Sequence, residues 1–233
     1  MTVPRHIGIV ACSAEGAALC YRTLCTEAPE VLGTRYAHPE VTVHSQSFAR
    51  YMERIDRDDW AGVAEMMLVS ARKLAGAGAS FLVCPDNTVH QALPHLMASS
   101  PLPWLHIAEV VAAEAAARGH RRLGLTGTRW LVASEVYPEK LAARGLGWVR
   151  PGEQDRLEVS RIIMDELVNG RFLPESVRAL QAVIGRLRDA GCDAVVLGCT
   201  ELPLVLGDHN SSLPTLDSTR LLARAAIRRS LEP

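Results

Sequence analysis

No apolar run in this 233-residue sequence approaches the ~20 residues that crossing a bilayer requires, so a membrane-spanning helix is not expected. The opening, Met1-Thr2-Val3-Pro4-Arg5-His6, lacks the basic start and long apolar core of an export signal, and the expected compartment is the cytoplasm. Charge of one sign is also missing. The formal net charge of −1 gives no basic face, so neither nucleic acid nor a membrane surface is an expected partner. Aromatic residues are scarce at 5%, and Trp60, Trp104, Trp130 and Trp148 do not interleave with basic residues, which excludes a base-stacking platform. The six cysteines form no C-x-x-C pair and no Cys/His pattern with zinc spacing, so no metal is expected. Without an export signal they read as free thiols.

What is present is a regular alternation. Four short apolar runs end at small or polar residues: 6–12, 80–84, 122–126 and 193–199. Their length and bulk suit buried parallel strands. Between them lie helical patterns, Trp60 to Leu74 stopping at Gly76 and Val177 to Leu187 stopping at Gly191, with glycine in the usual left-handed stop. Strands alternating with helices argue an α/β fold built of right-handed βαβ units.

The alternation repeats. Ile7-Gly8-Ile9 resembles Leu123-Gly124-Leu125 at an offset of 116, and Leu102-Pro103-Trp104-Leu105 resembles Leu213-Pro214-Thr215-Leu216 at an offset of 111. We therefore expect two pseudo-symmetric, flavodoxin-like α/β halves with parallel sheets and an active site between them. The first half is 1–108 plus 215–233, and the second is 109–214.

Ligands of open α/β sheets bind beyond the carboxyl ends of the strands. That singles out loops at Ser13, at Asp86-Asn87-Thr88, at Thr126-Gly127-Thr128 and at Gly198-Cys199-Thr200-Glu201. An offset of 113 between halves pairs Asp86 with Cys199, whereas 115 pairs Cys84 with Cys199, and the repeat is compatible with either. In both cases a thiol in one half is matched by an acid or thiol in the other. Inverting a carbon centre needs a base on one face and an acid on the opposite face, and such a pair supplies both. A thiol of ordinary pKa about 8.5 is brought toward neutrality at a helix N-terminus, which Cys199 would occupy if Thr200-Glu201-Leu202-Pro203 opens a turn or helix. Ser13, Asn87, Thr88, Thr128 and Thr200, with backbone N–H groups, would hold a carboxylate.

Each of these residues has a structural alternative. Free cysteine most often packs as a small hydrophobe, which applies to Cys199 as to Cys84. Asp86 and Ser13 are good helix caps. Glu15 reads as structural, His90 as a satisfied structural histidine and Arg50 as a solvated surface arginine.

Four segments in order, Asp86-Asn87-Thr88-Val89-His90, Gly124-Leu125-Thr126-Gly127-Thr128, Leu197-Gly198-Cys199-Thr200-Glu201-Leu202-Pro203 and Asp217-Ser218-Thr219, resemble the aspartate/glutamate racemase superfamily over nearly the whole chain. The resemblance implies an isomerase that works without pyridoxal phosphate or any other cofactor. Two residues, here Cys199 and Asp86, would exchange a proton at the α-carbon of an acidic or related amino acid. It assigns Ser13, Asn87, Thr88, Thr128, Thr200 and Glu201 to substrate binding, and it implies a homodimer. Departures are visible. The family's first catalytic cysteine falls on Asp86, Val168 stands where aspartate racemases carry a lysine, and Leu131 replaces the second threonine of the third loop. With a single thiol, a decarboxylase or lyase of the same superfamily acting on a small carboxylic acid is the alternative reading, and a carboxylate-binding protein without turnover is a third.

Overall fold

A computed structural model describes residues 3–232; Met1, Thr2 and Pro233, the first two belonging to the segment read above for an export signal, lie outside the described residues. The chain divides into two compact units, Met1–Ile107 with Thr219–Pro233, and Ala108–Ser218. Among the described residues no helix is long and apolar enough to cross a membrane.

In the first unit, β1 (Ile7–Ala11) is followed by α1 (Ala14–Leu32), β2 (Val41–Ser45), α2 (Phe48–Ile55), α3 (Trp60–Gly76), β3 (Phe81–Val83), a short 3-10 turn, α4 (Leu93–Leu96) and β4 (Trp104–Leu105). The sheet is wholly parallel in the order β2-β1-β3-β4. All five residues of β1 are buried, as a central parallel strand covered on both faces requires. Each fully buried Ile or Leu contributes roughly 1.5–3 kcal/mol, and Ile7, Ile9, Leu24, Met67, Leu74, Phe81 and Leu82 supply the core.

The second unit begins at Ala108, inside α5 (Ile107–Ala117), and continues through β5 (Arg122–Thr126), α6 (Arg129–Ala133), α7 (Val136–Ala142), β6 (Gly147–Val149), α8 (Glu153–Arg161), α9 (Pro174–Asp189), β7 (Ala194–Leu197) and β8 (Thr215–Asp217). Its sheet is again parallel, in the order β6-β5-β7-β8. Leu180, Val183, Ile184 and Leu187 of α9 pack with Val195 and Leu197 of β7. Between α8 and α9 the chain passes through one π-helical turn, Ile162–Glu166, where buried Glu166 is held by Arg161 and by the Ser176 hydroxyl.

The two strand-centre glycines explain why Ile-Gly-Ile and Leu-Gly-Leu recur. A Cβ on Gly8 would meet Leu82 Cδ2 at 2.7 Å, Ala79 Cβ at 3.1 Å and Leu74 Cβ at 3.2 Å. A Cβ on Gly124 would meet Leu187 Cδ1 at 2.8 Å and its Cβ at 3.2 Å. In each unit a leucine near the end of the crossover helix packs directly onto a bare backbone position of the central strand.

Two expectations shift. The chain returns to the first unit at Thr219 rather than at 215, because β8 is hydrogen-bonded to β7 and so belongs to the second sheet. The left-handed residue after α3 is Gly78, φ 93°, rather than Gly76, which remains helical; after α9 it is Gly191, φ 86°. The last helix, α10 (Ser218–Ser230), lies in the first unit from Thr219 onward, where Arg224 pairs with Glu27 of α1 and the Arg5 N–H donates to the Ser230 carbonyl.

Candidate active site

The sheet registers decide between the two offsets that the repeat allowed. Ile7 pairs with Phe81 in the first sheet and Leu123 with Ala194 in the second. Taking Ile7 and Leu123 as equivalent makes Phe81 equivalent to Ala194, an offset of 113. The next pairings agree, Leu82 with Trp104 and Val195 with Thr215. Asp86 and Cys199 therefore hold equivalent positions in their own units, just beyond the carboxyl ends of β3 and β7. Cys84 does not match Cys199.

In the first unit Ser13 caps α1, its Oγ accepting from the Gly16 N–H at 3.2 Å. Asp86 is half-buried, and its Oδ1 accepts from the N–H groups of Thr88 at 3.1 Å and Val89 at 3.4 Å. Oδ1 thus closes the 3-10 turn Thr88–Ala92 in the manner of a helix cap. Asn87 and Thr88 follow and are both buried. His90 is buried too. Its Nδ1 lies 2.7 Å from the Asp86 carbonyl oxygen, and its Nε2 accepts from the Ile107 N–H at 3.3 Å. Cys84 is fully buried, and burial followed by the Asp86 charge pushes its thiol well above the ordinary range. It is a core residue. Tyr51 of α2 is wholly buried, and burial together with Cys12, Cys84 and Asp86 raises its hydroxyl strongly, so it stays neutral.

In the second unit Thr128 caps α6, its Oγ1 accepting from the Leu131 N–H at 3.3 Å. Thr126 Oγ1 donates to the Val196 carbonyl at 2.6 Å, and the Gly198 N–H donates to the Thr126 carbonyl at 3.0 Å, tying the ends of β5 and β7 together. Leu131 packs against this junction: a Cβ on Gly198 would come within 2.7 Å of its Cδ2. Cys199 is half-buried, and its thiol donates to Glu201 Oε2 at 2.8 Å. The Thr200 hydroxyl donates to the same oxygen, also at 2.8 Å. Thr200 and Glu201 are buried.

Of the two forms expected after Cys199, a turn or a helix, the structure has the turn, closed by the Leu202 N–H donating to the Cys199 carbonyl at 3.2 Å. The following helix is a 3-10 turn of three residues, Leu202–Leu204, too short to carry a useful dipole. A carboxylate, not a helix end, faces the thiol. The Glu201 contact was missed in the sequence; the available signal was an acid two residues beyond the thiol in a turning segment. Among the described residues no group of three or more His, Cys, Asp or Glu is placed to hold a metal ion.

Comparison with known proteins agrees with the α/β fold of the two units. The sequence profile of the Asp/Glu/Hydantoin racemase family matches residues 8–226. The chain is 24% identical to a broad specificity amino-acid racemase of Bacillus subtilis over 194 residues, 82% of this chain and 81% of that protein. It is 33% identical to a glutamate racemase of Thermus thermophilus over 159 residues, 65% of this chain and only 55% of that enzyme. A crystal structure of a candidate Asp/Glu racemase from Yersinia pestis superposes with a TM-score of 0.88 at 29% identity, covering 98% of this chain and 100% of that one.

Proposed function

Because this chain belongs to the Asp/Glu/Hydantoin racemase family, we propose that it is a cofactor-independent amino acid racemase or epimerase, exchanging the α-proton of an acidic or related amino acid between Cys199 and Asp86. The observation that carries the reading is the thiol of Cys199 aimed at a buried carboxylate, Glu201, at the end of a central strand.

Glu201 accepts the proton of Cys199 and leaves a thiolate. The thiolate takes the α-proton, which gives a carbanion stabilised by the neighbouring carboxylate of the substrate. Protonated Asp86 delivers a proton to the opposite face of that carbon and becomes a carboxylate. Exchange with solvent then returns Glu201 to its charged form and Asp86 to its acid form. In the reverse direction Asp86 is the base and the thiol is the acid. Glu201, expected from the resemblance among the substrate-binding groups, is reassigned in this reading to hold and receive the thiol proton. Ser13, Asn87, Thr88, Thr128 and Thr200 remain the proposed groups for the substrate carboxylate and ammonium, and the protein is proposed to act as a homodimer.

The test is incubation of each enantiomer of a panel of amino acids in deuterated water. Incorporation of deuterium at the α-carbon with inversion is expected for at least one of them, and Cys199→Ser should abolish inversion while leaving substrate binding. No exchange with any amino acid counts against the proposal.

A second reading has one observation in its favour. Asp86 Oδ1 already closes the turn at Thr88 and Val89. If Asp86 only positions the substrate, the single thiol would protonate a carbanion from one face after decarboxylation. Carbon dioxide release from a malonate-type acid would identify that reaction.

A further inference from the structure

His90 is a buried titratable group that the proposed proton exchange does not use, yet it touches the peptide of the proposed acid. The carbonyl of Asp86 can only accept a hydrogen bond, so the ring nitrogen 2.7 Å away, Nδ1, must carry a proton. The N–H of Ile107 can only donate, so the ring nitrogen 3.3 Å away, Nε2, must be bare. The neutral ring with its proton on Nδ1 is the one form that satisfies both contacts, because an imidazolium would set an N–H against the N–H of Ile107. His90 is 2% exposed, and its ring meets the His106 ring in an edge-on arrangement with centroids 4.7 Å apart.

These contacts link two separate places in the first unit. One is the turn that holds the Asp86 side chain through Thr88 and Val89; the other is the start of α5 at Ile107, just after β4. Rotation of the Asp86 peptide would have to break the Nδ1 bond, and sliding of the β4–α5 junction would have to break the Nε2 bond. A side-chain acid must hold its direction to within a fraction of an ångström for proton transfer, and the turn alone fixes only one of the peptide's neighbours.

The geometry points to His90 as a positioning residue that holds Asp86 for its half of the proton exchange, acting through the Asp86 carbonyl and the Ile107 amide rather than on the substrate. This inference rests on the proposed pairing of Asp86 with Cys199, and that pairing supplies a readout that loss of stability cannot imitate. Asp86 and Cys199 each serve as base toward a different enantiomer. A fault transmitted through Asp86 therefore slows solvent exchange into one enantiomer and spares the other.

The experiment measures deuterium entry into each recovered enantiomer for the intact chain and for Asp86→Asn, His90→Phe and His90→Asn. Asp86→Asn identifies the enantiomer that depends on position 86. His90→Phe keeps a buried ring but removes both hydrogen bonds. It should slow exchange into that same enantiomer by about tenfold or more and leave the other within about twofold, a scale set by the sensitivity of proton transfer to small misplacements. His90→Asn, which keeps a donor for the Asp86 carbonyl, should recover part of the loss. Equal loss for both enantiomers, or no loss for either, overturns the assignment of His90 while Asp86→Asn still reports on the pairing. If Asp86→Asn itself spares both enantiomers, the pairing fails and the role of His90 with it. Ring nitrogen shifts measured by NMR on the unsubstituted protein give a readout independent of the variants. A neutral ring protonated on Nδ1 is expected, and a ring protonated on Nε2 overturns the inference.

Discussion

The Cys199 thiol and the Thr200 hydroxyl both donate to one oxygen of Glu201, each across 2.8 Å. The carboxylate is buried beside them, so the thiol proton has a fixed acceptor close at hand. Replacing Glu201 by Gln keeps an oxygen that can accept those bonds but removes its capacity to take a proton. Glu201→Gln should keep the fold, read by circular dichroism and melting, while Cys199-dependent exchange falls by about 10²–10⁴-fold, the usual worth of a positioned proton acceptor. Unchanged exchange in this variant would return Glu201 to a structural or substrate-binding role.

Asp86 has two separable duties. Its Oδ1 closes a turn, and its acid group is the proposed proton donor. Asparagine caps as well as aspartate does, whereas alanine in such a position costs about 0.5–2 kcal/mol. Asp86→Asn should therefore melt close to the unsubstituted protein but lose inversion, and Asp86→Ala should lose both. Denaturant unfolding beside the exchange assay separates the two.

The cysteines should differ sharply in reactivity. Burial pushes Cys20 up to about 12 and carries Cys84 well above the ordinary range, so neither offers thiolate near neutrality. Cys25 and Cys199 are the thiols in partly exposed positions. Brief alkylation near pH 8 followed by peptide mass spectrometry should label these two well before Cys20 or Cys84.

The same shifts give a direction to alkaline unfolding. A thiol raised in the folded state loses its proton first in the unfolded chain, so the unfolded state gains on the folded one as pH rises above the ordinary value of 9.0. For Cys20 this loss continues until the folded thiol itself ionises at about 12. The stabilising contribution is complete below the unfolded value, and the upper limit on its decline is roughly 1.4 kcal/mol per pH unit for each such group. Urea midpoints should fall between pH 9 and 12, and Cys20→Ala should flatten that decline even if it lowers the midpoint at pH 7.

Gly8 and Gly124 give a packing test. Neither has room for a methyl group, since Leu74 and Ala79 crowd the first and Leu187 the second. Gly8→Ala and Gly124→Ala should each cost about 1–3 kcal/mol, the range for overfilling a packed core. Thermal or urea unfolding measures this directly.

The central strands were legible in the sequence because burial on both faces writes them as continuous apolar runs: β1, β3, β5 and β7 all lie within the segments read that way. The flanking strands were not. Val41-Thr42-Val43-His44-Ser45 is half exposed at the sheet edge and carries polar residues, and β4 and β8 are only two and three residues long. Their pairing is set by neighbours distant in sequence, which a local pattern does not contain. The same holds for the site. Cys199 and Asp86 stood out by their place after apolar runs, but the choice between offsets of 113 and 115 needed the hydrogen-bonded register of β1 with β3 and of β5 with β7. The segment after Cys199 was expected to open a turn or a helix, and it closes as a turn followed by the single 3-10 turn Leu202–Leu204. The bond from Cys199 to Glu201 depends on that tight turning, and no spacing rule for regular structure anticipates it.

Since α10 docks on α1 through Arg224 and Glu27, and Ser230 accepts from Arg5 beside β1, the first unit is assembled from both ends of the described chain. During synthesis, residues 108–218 are all joined before the helix that closes residues 3–107 is made. The unit whose chain starts first therefore cannot finish first, unlike the usual case in which earlier segments fold as they are made. A chain truncated after residue 218 and released should hold a protease-resistant second unit attached to an unfinished first one.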